Sequence, residues 1–296
     1  MKNDMLSRKA RKNLKRQTNV LLLLLGILSL TLSINWTSNV EMINEHTRPA
    51  ANPASTPVLI PNLQTKPDVS RFTNYTETAN QLNIEMVAVK GGTFMMGSTD
   101  EKPVHQVTLS DFYIGKYEVT QAQWSAVMGS NPSHFKGDNL PVETVSWIDI
   151  QQFITKLNRL TGKQYRLPTE AEWEFAARGG TRSKHYEYSG SNTASNVAWI
   201  DQNSDSKTHP AGTKTANESG IYDMSGNVWE WCNDWYSRYN DKPVINPKGA
   251  SFSYYRIKRG GSFNYFAQHT HVAHRDYDLP DNRSSTLGFR LACSSK

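Results

Sequence analysis

Cysteine is nearly absent from this chain, with Cys232 and Cys293 the two examples among 296 residues. At most one disulfide is available. Two readings of the pair stay open, a bridge formed in an oxidising compartment or two buried free thiols. A charge bias is also missing from most of the molecule. The formal net charge is +6, but seven basic residues and one acid lie within residues 1–17, so the remainder carries equal numbers of each sign. A neutral body has no general field to attract a phosphate backbone, which argues against nucleic-acid binding. No internal repeat, phosphate loop, Ser-His-Asp pattern or paired-carboxylate pattern is visible.

One long apolar run exists. Val20 to Ile34 is almost wholly apolar or small, follows the basic residues Lys2 to Arg16, and ends near Trp36. A basic flank before such a run reads as an uncleaved signal anchor over 18–36, with residues 1–17 cytoplasmic and the body exported to the periplasm or cell exterior. Secretion after signal cleavage is the alternative. No cysteine follows the run to carry a lipid. Residues 37–80 hold five prolines among scattered polar residues and read as an extended, disordered spacer.

From Leu82 to Lys296 the pattern is that of one folded domain, mixed α+β and rich in loops. NIEMVAVKGGTFMMGS predicts two strands about a Gly-Gly turn, and HQVTLSDFYIGKYEVT another pair. Three helices follow. One begins near Thr120. A second begins at Ser146 and buries Ile150, Phe153, Ile154 and Leu157 before stopping at Gly162. The third begins after cap Thr169 with Glu172 completing a capping box, and ends at Gly179–Gly180. Beyond Gly180 helical periodicity vanishes, with short strands expected around VWEWC, RIKRGGSF and GFRLAC. Side-chain amides, buried water or bound ions must satisfy so much irregular backbone.

Seven motifs occur in register: GGTFMMGS at 91–98, VHQVTLSDFYIGKYEVTQAQW at 104–124, NPSHFKGDNLPVETVSW at 131–147, YRLPTEAEWEFAARGG at 165–180, GIYDMSGNVWEWCNDWY at 220–236, RGGSF at 259–263 and DNRSSTLGFRLA at 281–292. Together they resemble the sulfatase-modifying-factor domain of formylglycine-generating enzymes, over about 85–293. The resemblance implies a C-type-lectin-like fold. It also implies several possible roles: oxidation of a sulfatase cysteine to formylglycine, sulfoxide synthesis or siderophore maturation in relatives, and non-catalytic lectin-like binding.

In the oxidising members two cysteines after the Gly-Gly-Ser motif hold copper. Those positions are Tyr265 and Thr270 here, and neither supplies the soft sulfur that cuprous ion prefers. Copper held by two thiolates, and the formylglycine reaction with it, is therefore not expected. The same segment carries His269, His271 and His274. On a strand His269 and His271 would share a face and form half of a transition-metal site, with Asp276 a candidate third ligand. The resemblance further implies calcium at Asp223, Gly226, Val228 and Glu230, all hard oxygen donors. A second calcium loop is half visible at Asn196 and Val197, with Asn203 or Asp205 in place of its acid. Ligand-cleft candidates are Trp229, Ser262, Tyr265 and Arg275, while Arg283 and Arg290 read as loop anchors. The favoured reading is an anchored, exported binding or scaffold module for a peptide, glycan or envelope partner. The alternative is an oxidoreductase of the same family with a histidine-bound metal.

Overall fold

The computed structural model describes residues 72–295. The expected anchor, and the spacer up to residue 71, lie outside the described residues.

The domain begins before Leu82. Strand β1 (Tyr75–Glu77) pairs antiparallel with β2 (Ile84–Val89), so residues 72–80 are not spacer. Tyr75 and Phe72 pack their rings on Tyr113, and Tyr165 donates to Glu77 at 3.1 Å, which ties this stretch to the body. Next come β3 (Gly92–Met96), β4 (His105–Leu109) and β5 (Phe112–Gly115). The Gly-Gly stretch does not close a hairpin: β2 pairs with β5 and β3 with β4, in two different sheets.

Helices α1 (Gln121–Met128), α2 (Trp147–Thr161) and α3 (Glu170–Ala177) start at Thr120, Ser146 and Thr169. All three starts are reciprocal capping boxes, with Gln123, Asp149 and Glu172 returning the bond to the cap. Strand β6 (Tyr165–Arg166) precedes α3, and a short helix α4 (Ala194–Val197) follows it. The remaining strands are β7 (Trp229–Trp235), β8 (Val244–Ile245), β9 (Arg256–Arg259), β10 (Arg275–Asp278), β11 (Leu287–Gly288) and β12 (Ala292–Ser294).

Among the described residues three sheets result, with strand orders β1-β2-β5-β12-β6, β10-β9-β7-β11 and β3-β4-β8. The first has apolar side chains packed on both faces. On β2, Ile84 and Met86 join one core with Trp124, Phe153, Leu157, Trp231 and Phe289, while Val87 and Val89 join another with Phe112, Trp173 and Ile257. Every residue of α3 is buried, including Glu170, Glu172 and Glu174. Buried carboxylates need counter-charges, and arginines supply them: Arg275 to Glu170, Arg166 to Glu172, and Arg178 and Arg259 to Glu174.

The irregular region relies on amides, as its composition requires. Asn227 is fully buried, accepts from His209 N–H at 3.0 Å and donates to Glu118 at 2.6 Å. Asn217 donates to the Ala176 carbonyl and accepts from Ser219 and Ile221.

Candidate functional site

The Gly-Gly-Ser turn that follows β9 is built for close approach. Gly260 and Gly261 have φ of 97° and 73°. A Cβ on Gly261 would sit 2.5 Å from Thr270 Cγ2 and 2.8 Å from the His269 carbonyl oxygen, so only glycine lets segment 269–270 lie on the turn. Thr270 is fully buried, donates to the Ala267 carbonyl at 2.8 Å and accepts from Ser225 Oγ at 2.7 Å through its own carbonyl. Ser262 is also fully buried and donates to Asn264 at 2.9 Å. It closes the turn rather than facing a ligand.

Tyr265 is half-buried and stands edge-on to both Trp229 and His269, at 5.4 Å each. The H-x-H half-site expected on a strand does not form, because Ala267–Thr270 is a 3-10 helix. Its tighter winding turns His271 to Tyr188, whose hydroxyl is 3.1 Å from His271 Nε2. His269 Nδ1 instead meets His274 Nε2 at 3.3 Å, and His274 Nδ1 lies 3.4 Å from Glu101. Burial, then the neighbouring His274, pulls the His269 pKa down. Asp276 does not join them; its carboxylate meets Lys258 at 3.3 Å.

The floor of this cluster is Trp229, 1% exposed, with its indole Nε1–H unpartnered among the described residues. Lys258 Nζ lies 5.3 Å from the Trp229 ring and His274 5.9 Å. The structure therefore brings Trp229, Tyr265, His269 and His274 together. Arg275 is not with them: its guanidinium grips Glu170 through bonds of 2.7 and 2.6 Å and stacks on Tyr239 at 3.8 Å.

The expected calcium ligands divide. Glu230 is fully buried, and its oxygens accept twice from Arg290 at 2.6 Å and once from Trp173 at 2.7 Å. It serves an ion pair. Asp223, at φ 56°, accepts from Gly212 N–H at 2.6 Å. Gly226 donates its N–H to the Gly260 carbonyl, and Val228 donates to Glu118. Sequence reading missed Glu118, which is fully buried in the same cluster. Burial, with Asp223 and Glu230 adding to it, pushes Glu118 well up; burial pushes Asp223 up to about 6. One guanidinium thus faces three buried carboxylates, and a hard dication matches the excess of two.

At the second loop, Asn196 and Val197 sit in α4, and the Asn196 carbonyl accepts from Thr215 N–H. Asn203 closes its own turn, bonding Ile200 N–H and the Ala198 carbonyl, whereas the Asp205 side chain is 84% exposed. Among the described residues no three His, Cys, Asp or Glu side chains converge as a metal site, so any calcium here draws on carbonyls.

Cys232 and Cys293 are free thiols and the bridge is not formed. Cys232 is buried on β7, while Cys293 is half-buried on β12 in a different sheet. Burial, followed by the charge of Asp234, pushes the Cys232 thiol well up and leaves it inert. Arg283 and Arg290 do anchor loops, through Asp149 and Glu230.

Comparison with known proteins places this geometry. The chaperone protein LppX of Paenibacillus barcinonensis is 41% identical over 203 residues, covering 52% of this chain and 72% of LppX. The formylglycine-generating enzyme of Streptomyces coelicolor is 30% identical over 283 residues, covering 70% of this chain and 88% of that enzyme. Treponema denticola variable protein 1 superimposes with a TM-score of 0.71 at 34% identity, over 75% of this chain and 99% of that protein. Residues 71–295 match the model of the sulfatase-modifying factor enzyme 1-like domain. With that match across all the described residues, the chain belongs to the family of formylglycine-generating enzymes, on their loop-rich, C-type-lectin-like fold.

Proposed function

We propose that the protein is a binding or scaffold module of this family, anchored by residues 18–36 with the folded domain exported. Its surface over Trp229, Tyr265, His269 and His274 recognises a peptide, glycan or envelope partner. The observation that carries this reading is the filling of the copper-ligand positions: Thr270 is buried with its hydroxyl bonded to Ala267, and Tyr265 is wedged against Trp229. Neither offers sulfur. The likeness to a protein named as a chaperone favours a protein partner. The test has two arms on the full chain. Incubation with copper and a cysteine-containing sulfatase peptide gives no aldehyde, and a photo-crosslinking residue at the exposed Phe266 captures a discrete envelope protein. Aldehyde formation overturns the reading.

One observation favours a second reading, a metal-dependent oxidoreductase. The 3.3 Å between His269 Nδ1 and His274 Nε2 is the separation of two nitrogens on one tetrahedral ion with bonds of about 2.0–2.1 Å. Elemental analysis after adding back zinc, iron or copper decides it: stoichiometric metal that is lost in H269A/H274A supports this alternative. Calcium belongs to either reading, held by Asp223, Glu118 and the carbonyls of Gly226 and Val228, where it would neutralise buried charge and stiffen the loops.

A further inference from the structure

The buried acids Glu170, Glu172, Glu174 and Glu230 each meet an arginine. Asp234, on β7, does not. It is 3% exposed and accepts one hydrogen bond, from Glu170 N–H at 3.0 Å. In place of a guanidinium it borders a cavity of about 330 Å³. The loop after β8 closes over it. Gly249, at φ 75°, packs so tightly that a Cβ there would come within 2.7 Å of Asp234 Cβ.

That loop and the end of β7 carry Lys248 and Arg238 to the cavity rim. Both are exposed and have no hydrogen bond or ion pair among the described residues. Met96 and Val244 supply an apolar wall. Arg275 lines the cavity as well, but its guanidinium is held by Glu170, so the cavity is dipolar: an acid with no ion-pair partner at the floor, cations without an anion at the mouth, and a greasy side between them. A volume in this range suits a small molecule, and a buried acid with no paired cation favours a ligand that supplies one.

We propose that this cavity binds a small zwitterion of the α-amino-acid class, its ammonium group on Asp234 and its carboxylate between Arg238 and Lys248. The site shares no residue with the Trp229–Tyr265 cluster and stands whether or not that cluster binds a partner. Burial and the charge of Glu170 push Asp234 up to about 8, while Glu172 raises it further and Arg275 opposes. An arriving ammonium draws that proton off, so binding at pH 7 releases a proton.

Isothermal titration of the full chain in detergent tests this with L-leucine, whose side chain suits the apolar wall. Its two halves are the controls: 3-methylbutylamine lacks the carboxylate and 4-methylpentanoate lacks the ammonium. Leucine binds one to one, with an enthalpy that shifts with the ionisation enthalpy of the buffer. Each half binds at least about tenfold more weakly, the loss of one charge-assisted contact. D234N loses a similar factor. R238Q/K248Q changes exposed side chains and cannot unfold the domain, and it also weakens leucine about tenfold. Absence of heat up to about 10 mM leucine, an amine that binds as tightly as leucine, or a double variant with unchanged affinity each overturns the proposal.

Discussion

Arg290 meets Glu230 through two bonds of 2.6 Å, and neither side chain is exposed to solvent. The same guanidinium donates to the carbonyls of Gly115 and Tyr222, joining β5 to the irregular loop before β7. Replacing Arg290 with methionine leaves Glu230, Glu118 and Asp223 buried without a cation. Loss of one partner from such a pair costs about 3–5 kcal/mol. Urea unfolding of R290M shows a midpoint lowered to that extent, or no folded protein.

Asp234 gives the stability a pH dependence of definite sign. Its folded pKa, about 8, lies above its ordinary value of 3.8. Between those values the folded state holds a proton that the unfolded chain has released, so this group lowers stability as pH rises from about 4 to 8. At pH 7 the penalty is on the order of 4 kcal/mol. D234N reduces the slope: the urea midpoints at pH 5 and 7.5 lie closer together in the variant than in the parent, the remainder belonging to Asp223 and Glu118.

Gly261 is held by geometry rather than chemistry. Alanine there meets Thr270 Cγ2 at 2.5 Å and adopts φ 73°, a conformation that costs a side chain about 1–3 kcal/mol. G261A is destabilised by at least that amount, and the edge-to-face contact of Tyr265 with Trp229 loosens with it. Thermal melts and tryptophan fluorescence together report the change.

Calcium around Asp223 makes a separable prediction. A ligand at about a hundred times its Kd stabilises by about 2.7 kcal/mol. Calcium raises the melting temperature of the parent and chelator reverses it. D223N melts at one temperature in both, because the carboxylate that completes the charge match is gone.

Elements whose specification is local were legible before any coordinates. Thr120, Ser146 and Thr169 each sit three residues before an acid or amide able to return the bond, and all three start helices as expected. Partners distant in sequence were not legible. Nothing in RLPTEAEWEFAA says that Glu170 awaits Arg275, 105 residues on, or that Glu174 awaits Arg259. A signal was present, though: three acids in a helix with no polar face imply buried counter-charges somewhere. A period-two pattern misplaces the histidines because their segment winds as a 3-10 turn, which brings positions 269 and 274 together and sends 271 away. Strands β2 and β3 form where expected, but their separation into two sheets has a related reason. Gly91 lies against the backbone of residues 109–111, a long-range approach that no local turn pattern encodes.

Strand β12 lies between β5 and β6, although nearly 180 residues of chain separate its partner Ile114 from Ala292. Until β12 docks, β5 lacks its neighbour on one side and β6 has no strand partner among the described residues. Pairing at such a separation is slow and comes late. This inner place in the sheet is therefore filled by a contact of very long range, so that among the described residues β1, β2 and β5 on one side and β6 on the other are joined through β12 alone.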